Sequence, residues 1–249
     1  MHTTAIIQAR MGSTRLPGKM MLPLDGRHVL EHDIDRVAKA STVDEVVVAT
    51  TDNKSDDIIA TYAERSGARV YRGDETDVLG RMYAAADYQN TDIVVRITGD
   101  CPLISPICID SVVEKLRDKK LDYSTNTIER TFPRGLDVEA FTFDSFTDVE
   151  TKANESHHRE HVTPYYQENP DQFTIGNVVS KDVFREEWLH NRTDLRLTLD
   201  EAADYELLRT LYEQITYDSH IEITDVIKYI DDNDVAKLNR SISQKSLHE

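Results

Sequence analysis

The sequence predicts an α/β fold with a mostly parallel central sheet. Short β-branched apolar runs alternate with longer amphipathic segments through the first half of the chain, as in successive βαβ units. A polar loop rich in glycine and cations directly follows the first of these runs. The length of 249 residues is enough to bury one large α/β core.

Apolar periodicity gives the order of the elements. Strands are expected at residues 5–8, 45–50, 69–71 and 92–98, with helices at 28–39, 55–66 and 77–88 between them. After residue 121 the alternation of strands and helices ends, and a turn is expected at 131–135, a strand at 136–143 and a histidine-rich helix at 154–167. The main sheet is expected to resume at 195–199, before helices at 202–212 and 224–239. We predict one domain over residues 1–240, with residues 121–190 as an inserted arm and 241–249 as a flexible tail.

Charge and composition limit the partners. The chain has 46 acidic residues against 29 Lys and Arg and a net charge of −17, which argues against a nucleic-acid backbone as the main partner. It has no apolar run of membrane-spanning length and no signal-like start, so we expect a cytoplasmic protein without membrane insertion. The spacing of Cys101 and Cys108 fits neither a zinc knuckle nor a disulfide framework, and reduced, packed thiols are expected.

The segment 8–19, QARMGSTRLPGK, is predicted to hold phosphate groups. Its glycines allow close backbone approach, and Arg10, Arg15 and Lys19 can neutralise several phosphate oxygens. A polyanion such as a nucleoside triphosphate fits such a loop. The spacing of Gly12 and Gly18 matches neither a Walker A loop nor a Rossmann fingerprint. A solvated basic surface loop is the alternative interpretation.

Asp100 and Asp200 each follow a predicted strand, a hundred positions apart. Ligands collect at the carboxyl ends of parallel strands, so both carboxylates can face the basic loop. Magnesium binds with few carboxylates, completed by water and substrate oxygens, and two aspartates suffice for such a site. Either residue alone would more often be a helix cap or turn residue. Together with the loop, they predict nucleotidyl transfer.

Several motifs carry a family resemblance. Segments 8–19, 46–52, 98–104 and 197–200 resemble the cytidylyltransferase family that includes the CMP-Kdo and acylneuraminate synthetases. Segments 73–79, 133–139 and 159–165 resemble, more closely, its spore-coat polysaccharide (SpsF) branch. The chain departs from the Kdo enzymes at Cys101, where they usually carry glutamate, and in the segment 74–81.

The resemblance implies a three-layer, Rossmann-like nucleotidyltransferase fold of the GT-A type. It implies a Mg²⁺-dependent enzyme that joins CMP from CTP to a sugar or sugar acid and releases pyrophosphate, for surface polysaccharide or glycan synthesis. Arg10, Lys19 and Asp100 take catalytic roles and Asp100 with Asp200 holds the metal, whereas Asp204 is expected at a helix start. The nucleotide-binding residues are then Gln8, Ala9, Arg10, Gly12, Ser13, Thr14, Arg15, Lys19, Thr50, Asp52, Asp77 and Arg81.

Other assignments keep alternatives open. Arg81 either reads the cytosine or pairs with Asp77 at helical spacing. Arg134, Arg159 and His161 are expected to hold an acidic or phosphorylated acceptor, or else to pack the arm and a subunit contact. A zinc site at the histidine-rich helix is not predicted, because the His-Glu-x-x-His order is absent.

The competing functions are a GT-A glycosyltransferase that uses a nucleotide sugar, and a nucleotide-binding module without catalysis. An antiparallel arm such as the strand predicted at 136–143 leaves a strand edge that needs covering, and relatives of this type pair through the corresponding region, so a homodimer is expected.

Overall fold

A computed structural model describes residues 1–242. Nine strands form a central sheet and a separate two-stranded hairpin within this part of the chain. They are β1 (Thr3–Gln8), β2 (Pro23–Leu24), β3 (Arg27–His28), β4 (Glu45–Thr51), β5 (Arg69–Gly73), β6 (Ile93–Thr98), β7 (Tyr123–Thr125), β8 (Glu139–Thr142) and β9 (Ile175–Asn177).

The helices alternate with the strands in the first half of the chain and follow one another near its end. They are α1 (Val29–Val37), α2 (Asp57–Arg65), α3 (Val78–Tyr88), α4 (Pro106–Lys119), α5 (Phe143–Lys152), α6 (Ser156–His161), α7 (Pro164–Glu168), α8 (Ser180–Val183), α9 (Ala202–Gln214) and α10 (Ile223–Asn233). Short 3-10 turns lie at Lys19–Met21, Lys54–Asp56, Glu187–Leu189 and Val235–Leu238. None of the helices in this described part is long and apolar enough to cross a membrane.

The central sheet has seven strands in the order β5-β4-β1-β6-β8-β7-β9. Strands β5, β4, β1 and β6 pair in parallel, and β7 pairs in parallel with β9. Strand β8 is antiparallel to both of its neighbours. The predicted mostly parallel sheet is therefore confirmed.

Two apolar layers cover the faces of this sheet. Alternate residues of β1 point to opposite sides: Ala5 and Ile7 belong to the cluster under α1, α2, α4, α9 and α10, and Ile6 belongs to the cluster under α3, α5 and α7. A strand buried on both faces needs the continuous apolar run that predicted it. Helix, sheet and helix form the predicted three layers.

The structure corrects several predicted elements in the second half. Residues 121–190, predicted as an inserted arm, contribute β7, β8 and β9 to the central sheet, and the division of the chain into domain, arm and tail stays a prediction. The strand predicted at 136–143 is limited to Glu139–Thr142, and the histidine-rich helix is split into α6 and α7, with Pro164 at the start of the second. Of the predicted flexible tail, residues 243–249 lie outside the described part.

The strand predicted at 195–199 is also wrong. This segment is extended but lies outside the sheet, bonded to two loops. Leu197 N–H donates to Arg134 O at 2.7 Å, and Leu199 N–H donates to Asp100 O at 2.8 Å. Its apolar pattern reflects burial between those loops, not pairing within a sheet.

Candidate active site

Two adjoining cavities open at the carboxyl ends of β1 and β6. The larger has a volume of about 570 Å³. The smaller, of about 250 Å³, is bounded by the loop that follows β1. Gln8, Thr98, Asp100 and Asp200 line both of them. The cavities therefore meet at the two aspartates that the sequence selects as metal ligands.

The loop after β1 is held by the protein interior. The buried carboxylate of Asp56 accepts a hydrogen bond from Met11 N–H at 2.8 Å and another from the Thr51 hydroxyl. Gly18 has a φ of +71°, a conformation that favours glycine, just before the turn that carries Lys19. The predicted nucleotide-binding residues on this wall are Gln8, Ala9, Arg10, Gly12, Ser13, Thr14, Arg15 and Lys19.

Lys19 lies between the two aspartates. Its Nζ donates to Asp100 Oδ2 at 2.7 Å, to Asp200 Oδ1 at 3.0 Å and to Leu199 O at 2.8 Å. Burial lowers the pKa of the Lys19 ammonium, but the two carboxylates outweigh this effect and the pKa is raised. The ammonium therefore stays charged, and the point where the aspartates converge attracts a cation.

Asp200 is held in place from several directions. The bonds of the 195–199 segment to Asp100 O bring it to the site. Arg196 donates to Asp200 Oδ2 at 2.7 Å, and Arg15 lies 3.1 Å from Oδ1. Burial raises the pKa of Asp200, yet Lys19, Arg15 and Arg196 lower it below its usual value. Asp200 is therefore an ionised carboxylate at neutral pH.

Asp204 has the predicted helix-start role. Its Oδ2 accepts from the backbone N–H groups of Asp200 and Glu201, each at 3.0 Å, at the start of α9. Its Oδ1 lies 2.9 Å from Arg196 Nε. These contacts fix the turn that carries Asp200.

The chemistry of the convergence point suits magnesium. It presents carboxylate oxygens from Asp100 and Asp200 and the carbonyl of Leu199, all around one positively charged group. Hard oxygen donors in small number, with access to a cavity for water and substrate oxygens, are what Mg²⁺ requires. The Lys19 ammonium already takes the position of a cation between the carboxylates.

Arg10 is paired with a carboxylate that the sequence did not single out. Its Nη1 lies 3.2 Å from Glu75 Oε1 at the mouth of the smaller cavity. Asn53 Nδ2 donates to the other carboxylate oxygen at 2.7 Å. Arg81 bonds the backbone carbonyl of Asp74 and thereby holds the turn that carries Glu75. The carboxylate of Glu75 therefore balances the positive charge of Arg10.

Arg134 is a cation on the wall of the larger cavity. Within residues 1–242, the Arg134 side chain makes no hydrogen bond or ion pair, although it lines the cavity. Burial and the nearby guanidinium of Arg130 lower the pKa of Arg134. Arg130 itself is neutralised by Asp137, with N to O distances of 2.6 and 2.9 Å. Asp137 partly offsets the charge of Arg134 without bonding to it, so the N–H groups of this guanidinium can bind a ligand.

A buried ion pair forms another part of this wall. Arg96 pairs with Glu139, and its Nε donates to Gln8 Oε1 at 3.1 Å. Tyr123 donates its hydroxyl to Glu139, whose negative charge adds to burial in raising the pKa of Tyr123 well above its usual value. The pair fixes the Gln8 side chain beside both cavities.

Of the two other residues predicted to hold the acceptor, one lines the larger cavity and one does not. His161 lines the larger cavity, but Arg159, predicted to hold the acceptor, does not. Arg159 instead pairs with Asp77, at 2.7 Å from Nε to Oδ1, and with Glu150, joining α6 to α3 and α5. The carboxylate of Asp77 accepts hydrogen bonds from Arg159 and from Gly80 N–H at the start of α3, and it does not pair with Arg81.

The predicted nucleotide-binding residues of β4 and α3 are not part of either cavity. Thr50 is fully buried in β4, Asp52 is exposed after it, and Arg81 is only 4% exposed. None of these side chains lines the two cavities. A role for them in reading the base stays a prediction.

The histidine-rich segment does not change the metal assignment. His157 and His158 contact Glu168 through Nε2, at 3.0 and 2.6 Å, and these three side chains are close enough to share an ion. Nδ1 of His158 is buried and has no hydrogen-bond partner within residues 1–242. A metal at Nε2 would leave the proton at Nδ1 without the acceptor that ligating histidines normally have. We assign no metal there.

Sequence reasoning missed Glu75, Asp56, Arg96, Arg130 and Glu139. One signal was available: Arg96 interrupts the otherwise apolar strand β6, and a charge within a buried strand needs a partner. The pairing of Glu75 with Arg10 spans 65 positions and leaves no local pattern.

The fold and the site define a class. A mostly parallel α/β sheet, a cation-rich loop after its first strand and two converging carboxylates are the arrangement of a nucleotidyltransferase. The chain belongs to the cytidylyltransferase family, whose model matches residues 4–223. It is an enzyme of that nucleotidyltransferase type, as the resemblance predicted.

Similar proteins cover nearly the whole chain. The spore coat polysaccharide biosynthesis protein SpsF of Bacillus subtilis is 31% identical over 240 residues, which cover 94% of this chain and 96% of that protein. A cytidylyltransferase structure from Leptospira borgpetersenii has a TM-score of 0.88 at 33% identity and covers 98% of this chain and 100% of its own.

A more distant structure shares the fold. The CMP:2-keto-3-deoxy-manno-octonic acid synthetase complexed with CTP has a TM-score of 0.64 at 18% identity, covering 86% of this chain and 99% of its own. At this identity the similarity shows the fold alone. The predicted nucleotidyltransferase fold is confirmed by both structures.

Proposed function

We propose that this enzyme transfers a cytidylyl group from CTP to a hydroxyl of an anionic, sugar-type acceptor, with Mg²⁺, and releases pyrophosphate for polysaccharide or glycan synthesis. The observation that carries the proposal is the meeting of two cavities at Asp100 and Asp200. One cavity has a loop suited to a triphosphate, and the other has an unpaired guanidinium suited to an anion. The reacting groups of donor and acceptor then meet at the carboxylates.

The smaller cavity is suited to the donor. Arg10, Arg15 and Lys19 reach into it from one loop, so they can hold the phosphates and stabilise pyrophosphate as it leaves. A magnesium ion held by Asp100 and Asp200 would neutralise phosphate charge and lower the pKa of an acceptor hydroxyl. The structural relative that is complexed with CTP supports CTP as the nucleotide.

The larger cavity is suited to the acceptor. Its volume of about 570 Å³ is that of a small-molecule site. Arg134 offers two parallel N–H groups that match a carboxylate or a phosphate. His161 lies on the same wall. An acidic or phosphorylated sugar would orient its hydroxyl toward Asp100 when its anion binds Arg134.

The test is pyrophosphate release from each of the four nucleoside triphosphates with Mg²⁺ and a panel of acidic and phosphorylated sugars. We expect release with CTP and one acceptor class. Arg134→Ala is expected to raise the acceptor KM by about tenfold or more, since it removes a charge-assisted bond, while the KM for CTP stays within a factor of two. The control is Arg209→Ala, on the exposed face of α9. No release from any pair would contradict the proposal.

We also propose that the chain forms a homodimer. The strand edge predicted at 136–143 is wrong, because β8 lies inside the sheet between β6 and β7. Strand β9 is instead at an edge of the sheet, and Ile128, which is 47% exposed, bonds through its backbone N–H to Asn177 of that strand. An apolar group beside an open strand edge favours pairing with a second copy. Light scattering at micromolar concentration is expected to give twice the chain mass of 28.5 kDa, and a mass of one chain would contradict this.

Placement of the protein in the cytoplasm stays a prediction.

A further inference from the structure

The Lys19 ammonium is bound as a metal ion would be. All three of its N–H groups are used, by Asp100, Asp200 and the carbonyl of Leu199, at 2.7 to 3.0 Å. The Lys19 side chain is only 13% exposed, as is that of Asp200. A divalent cation that binds between these carboxylates must therefore displace an ammonium that is already well bound.

Displacing Lys19 has opposite consequences with and without a nucleotide. When the metal binds alone, the ammonium loses its bonds to two carboxylates and a carbonyl, and two like charges lie close together. When the metal binds with a triphosphate, the phosphate oxygens in the same cavity accept the released N–H groups. Lys19 then gains a partner as the aspartates gain theirs.

A nucleotide without metal meets the reverse difficulty. If Lys19 turns to the phosphates, Asp100 loses its cation and Asp200 keeps only Arg15 and Arg196. Both carboxylates then face a polyanion across a small cavity, which disfavours the complex. Only the complex of nucleotide and metal satisfies every charged group at once.

We propose that Lys19 makes the site select the metal–nucleotide complex over either component alone. This inference rests on the proposed function, since it takes CTP and a divalent ion as the ligands. Thermodynamic linkage requires the effect to be reciprocal: the nucleotide strengthens metal binding by the factor by which the metal strengthens nucleotide binding. Lys19 is the group through which that coupling is set.

The test substitutes Lys19 and measures binding directly, by calorimetry and by the electron paramagnetic resonance of Mn²⁺. In Lys19→Gln, Mn²⁺ alone is expected to bind about tenfold or more tightly, because a competing charge is removed from between the carboxylates. The same substitution is expected to weaken binding of Mn²⁺–CTP about tenfold, because a phosphate partner is lost. A lysine that only stabilised the fold would not change these affinities in opposite directions.

Two matched variants complete the experiment. Lys19→Arg keeps the positive charge and is expected to bind Mn²⁺ alone as weakly as the unsubstituted protein. Lys119→Gln removes an exposed lysine of α4 and is expected to change neither affinity. Thermal unfolding of each variant checks the fold.

The outcomes separate the inference from the function on which it rests. If Lys19→Gln binds Mn²⁺ no more tightly than the unsubstituted protein, or if both affinities fall together, the role of Lys19 in selection is wrong and the proposed activity stands. If Lys19→Gln does not fold, the unsubstituted protein still tests the inference. An affinity for CTP in EDTA equal to the affinity for Mn²⁺–CTP would overturn it. If neither CTP nor its Mn²⁺ complex binds, the proposed function fails as well.

Discussion

Asp100→Asn is expected to lower kcat for pyrophosphate release by at least about 100-fold, because even partners of metal ligands contribute 10- to 100-fold and Asp100 is predicted to be a ligand itself. The asparagine has nearly the same shape but no charge, so it binds a divalent ion poorly. Lys19 keeps its bonds to Asp200 and to Leu199 O, which preserves the local structure. Steady-state kinetics at saturating CTP and Mg²⁺ measure the effect.

The control for this substitution is Asp118→Asn, in the exposed part of α4. It removes the same charge at a distance from the cavities and is expected to leave kcat unchanged. The melting temperatures of both variants should remain close to that of the unsubstituted enzyme. Turnover by Asp100→Asn within a few-fold of normal would mean that Asp100 is not a metal ligand in the reaction.

Gly135→Ala is expected to lower the free energy of unfolding by about 3 kcal/mol or more, as strained backbone and overpacking add together. Gly135 has a φ of +98°, and an added Cβ would lie 2.5 Å from the carbonyl carbon of Leu197 and 2.7 Å from Thr198 N. These are backbone atoms, which cannot move aside as a flexible side chain can. The clash displaces the segment that carries Asp200, so activity is expected to fall too.

Gly26→Ala is the matched control, measured by urea unfolding in the same buffer. Gly26 also has a positive φ, of +76°, but nothing lies within 4 Å of an added Cβ. Only the backbone strain remains, and a loss of about 1 kcal/mol is expected. Equal destabilisation by the two substitutions would show that the contact between Gly135 and Leu197 is unimportant.

The parallel half of the fold was predictable because its signals are local. The apolar runs of β1, β4 and β6 are buried on both faces and bounded by polar loops, so composition alone identifies them. The loop cations follow directly from β1. Asp100 and Asp200 lie together as expected, but the expected reason holds only for Asp100, which follows β6. Asp200 is brought there by the loop contacts of residues 195–199, which are outside the sheet.

The second half was less predictable because its apolar residues do not reveal what covers them. Residues 195–199 have the pattern of a buried strand, yet their backbone bonds go to loops at Arg134 and Asp100. The apolar pattern of these residues is compatible both with pairing in a sheet and with burial between loops. Ion pairs between distant residues also leave no pattern in the sequence. Arg159 bonds Asp77 across 82 positions and does not line the larger cavity.

The reversed direction of β8 has a consequence for how new specificities arise in this scaffold. Because β8 is antiparallel, residue Glu139 at its start pairs with Arg96 near the end of β6, and the link from β7 to β8 crosses the same edge. That link carries Arg130, Arg134 and Asp137 into the larger cavity, whereas the cations of the smaller cavity come from the loop after β1. If the larger cavity takes the acceptor as proposed, exchange of residues 126–138 between relatives would change which compound is activated, provided that positions 134 and 135 keep their contacts with the segment that carries Asp200.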